Sequence, residues 1–250
     1  MNRDKPVLLL VGRTGNGKSS TGNSILREEV FETRAAWEKA IHDTPARSET
    51  GSCVVVDGSG IGDTGDDLIG GQSAANHSSD SVFEHCGKTI TAIILVLKYG
   101  VRFTKQEKDA VQMITFLFGE DVLKKWGIIV MTYGDNFEKD NMEEEKTELF
   151  KSWCNKQGGD FKAVYEECNK RCVLFNNRAK HKKERDAQVV QLFRAVDMIK
   201  NRVHGPYTEE DYSLAEARRL CMQLISQGPQ IREDCADFLK DVNSRLANIG

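Results

Sequence analysis

The sequence predicts an α/β domain, a mostly parallel sheet with helices on both faces, followed by a helical extension. Three observations lead there: short apolar, β-branched segments recur along the chain, helix-period segments lie between them, and a glycine-rich turn follows the first apolar segment directly. A chain of 250 residues can bury one substantial core. The helix-breaking "HGPY" at 204–207 then sets a boundary near residue 204. Residues 1–204 are expected to form the domain and 205–250 the extension.

Five segments read as strands: 7–11, 53–56, 91–97 ("TAIILVL"), 127–131 ("GIIVM") and 171–175 ("RCVLF"). They are apolar with little alternation, as strands buried on both faces must be. "KQEKDAVQMITFLFG" places Val111, Ile114, Leu117 and Phe118 on one helical face, and "AQVVQLFRAVDMIKNRV" does the same with Val189, Leu192, Phe193, Val196, Ile199 and Val203. Beyond the boundary, "TEEDYSLAEARRLCMQLISQ" opens on an acidic first turn and is expected to turn Leu214, Cys221, Leu224 and Ile225 inward, before "GP" at 228–229 and a last helix. "GDDLIGGQSAANHSSD", 65–80, is small and polar without a clear helix pattern and reads as a mobile switch segment.

Charge excludes some partners. With 35 basic against 38 acidic side chains the net charge is -3, so nothing favours bulk attraction to nucleic acid. Seven cysteines without framework spacing read as reduced thiols, consistent with a cytoplasmic location. The start "MNRDKPVLLLVGRTG" does not have the pattern of a secretory signal, and no run of 18 apolar residues predicts a membrane span.

The turn after the first strand carries the chemistry. "GRTGNGKS", Gly12 to Ser19, matches G-x-x-x-x-G-K-[ST] between a strand and a helix start. Glycines 12, 15 and 17 allow the backbone to aim successive N–H groups at an anion, and a helix N-terminus adds partial positive charge. Lys18 supplies a point charge for the β- and γ-phosphates, and the Ser19 hydroxyl can ligate Mg²⁺. Gly12, Arg13, Thr14, Gly15, Asn16, Gly17, Lys18, Ser19 and Ser20 are the expected phosphate-binding set.

Later strand ends select the nucleotide. "VVVDGSG" puts Asp57 at a strand end with Gly60 three residues on, a D-x-x-G spacing in which the carboxylate holds the Mg²⁺ shell and the glycine N–H senses the γ-phosphate. "IIVMTYGD" ends a strand with Thr132, Tyr133, Gly134 and Asp135, in the place of an [NT]-K-x-D element. There the carboxylate accepts hydrogen bonds from N1 and the exocyclic N2 of guanine, a donor pair adenine does not offer. "RCVLFNNR" ends the last strand with Asn176 and Asn177, amides able to reach the base edge. The weaker patterns carry nothing: "GIGDTG" lacks the βαβ context of a dinucleotide site, and "CNKRC" has no second ligand pair at metal spacing.

Together "GRTGNGKSSTGNSIL", "VVVDGSGIGDT", "ILVLKYGVRFTKQEKDAVQMITFLFG", "MTYGD" and "RCVLFNN" resemble the immunity-associated GTPases, the GIMAP or IAN family, also called AIG-type, over residues 5–203. The resemblance implies a Ras-like P-loop GTPase domain, GTP or GDP and Mg²⁺ as ligands, and association as a homodimer or oligomer through the nucleotide face. It also implies a role in immune defence or cell survival. The location expected from the cysteines is cytoplasmic, with peripheral contact to internal membranes as a lesser option, and "AKHKKERD" at 179–186 reads as a solvated loop or helix start.

Departures from the family pattern bear on hydrolysis. Gly58 and Ser59 replace the threonine and proline of D-T-P-G. The first-switch threonine falls roughly at Glu38, with Thr33 and Thr44 as stand-ins, and Tyr133 replaces a lysine or arginine where its ring could stack on guanine. Ile61 stands where Ras-type enzymes carry the glutamine that orients the attacking water. Slow GTP hydrolysis is therefore expected, with Lys18 and Arg102 as the catalytic residues, Arg102 supplied across a dimer. The alternatives are a non-hydrolysing GTP-binding scaffold and, disfavoured by "TYGD" and "FNN", a P-loop ATPase or kinase.

Overall fold

In the computed structural model, residues 5–33, 45–58, 61, 72–140, 146–203, 205–225 and 240 are described. Every residue of β1 (Val7–Val11) is buried, because β1 lies between β3 (Val54–Asp57) and β4 (Ala92–Lys98), and the other two apolar strands extend the layer. These are β5 (Gly127–Thr132) and β6 (Cys172–Leu174). β3, β1, β4, β5 and β6 run parallel, each pair one crossover apart. The sheet order is β2-β3-β1-β4-β5-β6.

β2 (Ala46–Glu49) joins antiparallel to β3. Its "ARSE" sequence is largely exposed, and Glu49 pairs with Lys5 at 3.3 Å and Arg47 at 3.4 Å. The strand has no apolar pattern, so hydropathy does not predict it.

The helices cover the sheet on the faces predicted for them. α1 (Lys18–Leu26) follows β1, and α3 (Lys105–Phe118) buries Val111, Ile114, Leu117 and Phe118. α8 (Lys182–Arg202) buries Val189, Leu192, Val196 and Ile199, with Phe193 and Val203 partly covered. Between them lie the short α4 (Val122–Trp126), α5 (Gly134–Asp140), α6 (Lys146–Lys156) and α7 (Gly159–Glu167). α2 (Gln72–His85) corrects the reading of 65–80: from Gln72 onward that segment is helical, and 65–71 lies outside the described residues. The helix is held by its second half, where Val82 and Phe83 enter the core.

α9 (Glu209–Ile225) packs on α3 and touches α2 through Tyr212. Tyr212 stacks on Phe83 with centroids 4.5 Å apart, and its hydroxyl meets Ser79 at 2.8 Å and Asp80 at 2.5 Å. Tyr207 pairs its backbone with Ile90 at 2.8 and 2.9 Å and sits edge-on to Phe83, Phe118 and Trp126. The inward face differs from the predicted one. Cys221 is buried and Leu214 half-buried, but Leu224 is exposed, while Tyr212, Ala215 and Arg219 point inward, Arg219 donating to the Leu117 carbonyl. Aromatic contacts to α2 outweigh leucine spacing in setting the helix rotation. The Ile225 side chain and the helix expected after 228–229 lie outside the described residues.

Candidate functional site

The carboxyl ends of β1, β3, β5 and β6 share one end of the sheet, where doubly wound α/β folds bind ligands. The turn after β1 takes left-handed backbone at Gly12 (φ 126°), Gly15 (φ 85°) and Gly17 (φ 94°). A Cβ on Gly12 would lie 2.6 Å from the Val96 carbonyl oxygen, so only glycine fits there. Gly12→Ala is therefore expected to lower stability by about 2 kcal/mol through backbone strain, measured as a fall in thermal midpoint.

Gly17 caps α1 without a side-chain hydrogen bond, and the first turn of α1 holds no acidic residue, so the partial positive charge of the helix start faces the turn. Lys18 is buried and donates from Nζ to the Gly12 carbonyl at 2.6 Å. Ser19 Oγ donates to Asp57 Oδ2 at 2.7 Å, both residues being buried. These are the two predicted Mg²⁺ ligands, brought into contact from α1 and β3. They are hard oxygen donors, and among the described residues no group of three His, Cys, Asp or Glu side chains could hold a metal by itself. That set fits Mg²⁺, which keeps one or two protein ligands and takes the rest from phosphates and water.

Asn16 is built into the wall of the turn: its Nδ2 donates to the Val96 carbonyl at 3.1 Å, and its own carbonyl accepts from Thr132 Oγ1 at 2.8 Å. Thr14 and Ser20 are half-buried and Gly15 is exposed. Arg13 leaves the turn sideways, Nη1 meeting Glu107 Oε1 of α3 at 3.2 Å. Glu107 Oε2 accepts from the Thr104 N–H at 2.9 Å and from the Thr104 hydroxyl, forming the N-cap of α3. Burial pushes the Glu107 carboxyl up, but the Thr104 hydrogen bonds and Arg13 outweigh it and hold the group below the usual range. The "TKQE" pattern marks the helix start; nothing in the sequence links it to Arg13.

At the end of β5, Thr132 is buried and Tyr133 takes φ 59°, with Lys98 Nζ lying 4.4 Å from its ring centre. The Gly134 N–H donates to the Phe175 carbonyl at 2.9 Å, and a Cβ there would sit 3.1 Å from the Asn176 backbone nitrogen. The two loops expected to read the base thus touch through a glycine. Asp135 is half-buried in the first turn of α5.

The two asparagines have internal partners. Asn176 Nδ2 donates to Glu184 at 3.0 Å, and its Oδ1 accepts from the Arg178 N–H at 3.0 Å. Asn177 clasps α1, donating to Thr21 Oγ1 at 3.1 Å and accepting from Ser24 Oγ at 2.9 Å. A cavity of about 850 Å³ lies beside these loops, lined by Gly134, Phe150, Leu174, Asn176 and Gln188 and by no residue of the 12–20 turn.

Ile61 is 1% exposed, its N–H donating to the Gly58 carbonyl at 3.1 Å and its carbonyl accepting from the Gly12 N–H at 3.4 Å. Its side chain belongs to the core. Arg102 is exposed and makes no hydrogen bond or ion pair among the described residues; it lines a cavity of about 640 Å³ with Lys98, Phe103, Trp153 and Phe161. Thr33 is exposed, while Glu38, Thr44, Ser59 and Gly60 lie outside the described residues.

A family model described as the AIG1 family matches residues 7–227. The chain belongs to the AIG1 family. Among curated relatives, Immune-associated nucleotide-binding protein 8 of Arabidopsis thaliana is 30% identical over 220 residues, covering 83% of this chain and 57% of the relative. Immune-associated nucleotide-binding protein 9 of the same organism is 33% identical over 213 residues, covering 82% and 58%. This AIG1-family chain therefore spans little more than half the length of these two relatives. Among solved structures, Toc33 from Arabidopsis thaliana in complex with GDP and Mg²⁺ aligns with TM-score 0.53 at 17% identity, over 83% of this chain and 88% of that one. Toc33 with Mg²⁺ and GMPPNP aligns with TM-score 0.53 at 18% identity, over 82% and 88%. These likenesses and the strand order establish the fold, the Ras-like α/β fold that the resemblance implies.

Proposed function

We propose that this AIG1-family chain is a guanine-nucleotide switch that binds GTP and GDP with Mg²⁺, hydrolyses GTP slowly and self-associates according to the γ-phosphate state. The observation that carries the reading is the Ser19–Asp57 contact at 2.7 Å beside a left-handed glycine turn. Both expected metal ligands stand together at the start of α1, next to the turn, which supports this reading. When bound, Mg²⁺ would neutralise developing charge on the phosphate oxygens. Lys18 would turn from the Gly12 carbonyl to the phosphates, Asp135 would accept from guanine N1 and N2, and the Tyr133 ring would stack on the base. Asn177 would hold the base loop over α1, and Asn176 would reach the base edge only by exchanging its bond to Glu184. Residues 1–204 are the nucleotide-binding domain in this reading and 205–250 the extension. Among the described residues no helix is long and apolar enough to cross a membrane. A cytoplasmic place rests on the cysteine pattern, and a role in immune defence or cell survival on the family.

Self-association is supported by the exposure of Arg102, which shares a cavity lining with Glu107, the partner of Arg13 in the turn. For the chloroplast translocon components atToc33 and psToc159, which align here with TM-score 0.51, dimerization is important for the GTPase activity. A reciprocal arginine in a two-fold pair would face the partner's γ-phosphate, and such arginines are worth about 10³ to 10⁵ in rate. GTP turnover per molecule is thus expected to rise with protein concentration in the parent and not in Arg102→Ala, with light scattering showing dimers in a GTP analogue and monomers in GDP. Flat specific activity in both proteins, monomeric in both nucleotides, would reject it.

A second reading, a GTP-binding scaffold without hydrolysis, is favoured by the burial of Ile61, which supplies no amide to orient water. Single-turnover hydrolysis by purified protein separates the two.

A further inference from the structure

We infer that Glu107 is a positioning residue that ties the phosphate loop to the segment 100–104, and so makes the setting of Arg102 depend on what the loop holds. The inference rests on the nucleotide reading above and adds a residue that reading does not use.

One carboxylate serves two elements, one oxygen to each. Oε1 takes the Arg13 guanidinium at 3.2 Å, and Oε2 takes the backbone and hydroxyl of Thr104, the N-cap of α3. The Glu107 side chain is 8% exposed against 35% for Arg13, so withdrawing the Arg13 or Thr104 partner leaves a largely buried carboxylate short of a donor. Arg13 follows Gly12, whose carbonyl now holds Lys18 at 2.6 Å. An anion that draws Lys18 away frees that carbonyl, so the peptide joining Gly12 to Arg13 exchanges a hydrogen-bond partner when the loop is loaded.

The segment beyond Thr104 can respond. Its far end is Gly100, in left-handed backbone at φ 80° with no atom within 4 Å of a Cβ built there. Arg102 and Val101 between them are exposed, and Phe103 rests on Phe161 of α7 with centroids 6.4 Å apart. The segment therefore hangs between an unpacked glycine and a cap fixed to the phosphate loop. Without Glu107 the cap and Arg13 would move independently.

Glu107→Gln tests this in the full chain, because glutamine keeps an acceptor for the Thr104 N–H while removing the charge that holds Arg13. The variant is expected to bind GDP and GTP within about twofold of the parent while its concentration-dependent turnover falls at least about tenfold, and adding Arg102→Ala is expected to cost at least about tenfold less in the variant than it costs in the parent. Retained concentration dependence, or additive losses in the double variant, would overturn the inference. Hydrogen exchange decides the same point without hydrolysis. Amides 102–108 should gain protection when GDP and Mg²⁺ are added to the parent and not when they are added to Glu107→Gln. Equal gains in both proteins would overturn the coupling. A parent with flat specific activity but Glu107-dependent protection would remove the role given to Arg102 and still support the coupling.

Discussion

Lys18→Ala is expected to lower triphosphate affinity at least about 100-fold, the loss of roughly 3 kcal/mol of charge-assisted hydrogen bonding to phosphate. The ammonium is buried and already points at the turn, at 2.6 Å from the Gly12 carbonyl, so a phosphate entering there meets it without a change of fold. Alanine leaves the turn with backbone N–H groups and the helix start but no fixed cation. The fold should survive, since the three glycines that set the turn are untouched. Titration calorimetry and thermal melting measure the two effects separately. Unchanged affinity with an unchanged melting curve would reject the phosphate-loop assignment and everything built on it.

Asp135→Asn is expected to weaken GTP by about 2 to 4 kcal/mol and to shift preference toward xanthosine triphosphate. In the proposed mode the carboxylate would accept from two guanine donors, whereas an amide would place a donor where guanine also donates and xanthine accepts. Asp135 sits in the first turn of α5, directly after Gly134, which is locked to the Phe175 carbonyl at 2.9 Å, so its position is set by the backbone of two strands. That placement makes the substitution a change of chemistry with little change of shape. Competition between the two nucleotides against one preparation reads it out, and parent-like GTP affinity would remove Asp135 from base recognition.

The parallel strands were legible because burial on both faces leaves a run with no polar interruption, as in "VLLLV" and "AIILVLK". β2 was not, since "ARSE" is largely exposed and is a strand through its pairing with β3 alone. α2 was hidden for a related reason: "QSAANHSSDSVFEH" buries Val82 and Phe83 near its end and shows no stripe before them. In the site, residue types with fixed partners in the motif could be placed in advance, as Ser19 opposite Asp57. Contacts that join distant segments could not. Arg13 with Glu107 spans 94 positions, Asn177 with Thr21 spans 156, and Lys98 under Tyr133 needs the β4–β5 register to become neighbours. The inward turn of Arg219 in α9, where leucines were expected, has the same origin in a neighbouring helix.

The two ends of the sheet limit how copies of this chain can meet. β2 presents Arg47 and Glu49 with Lys5 alongside, and β6, on the far side, offers only three residues. A second chain adding a strand beside β2 would have to strip water from both charge signs, and beside β6 it would find too short a ladder to register against. Among the described residues, backbone-to-backbone growth of the sheet is thereby discouraged at both flanks, so the self-association proposed for this chain would fall to contacts between side chains, which can be made and released without the open-ended stacking that precedes fibre formation.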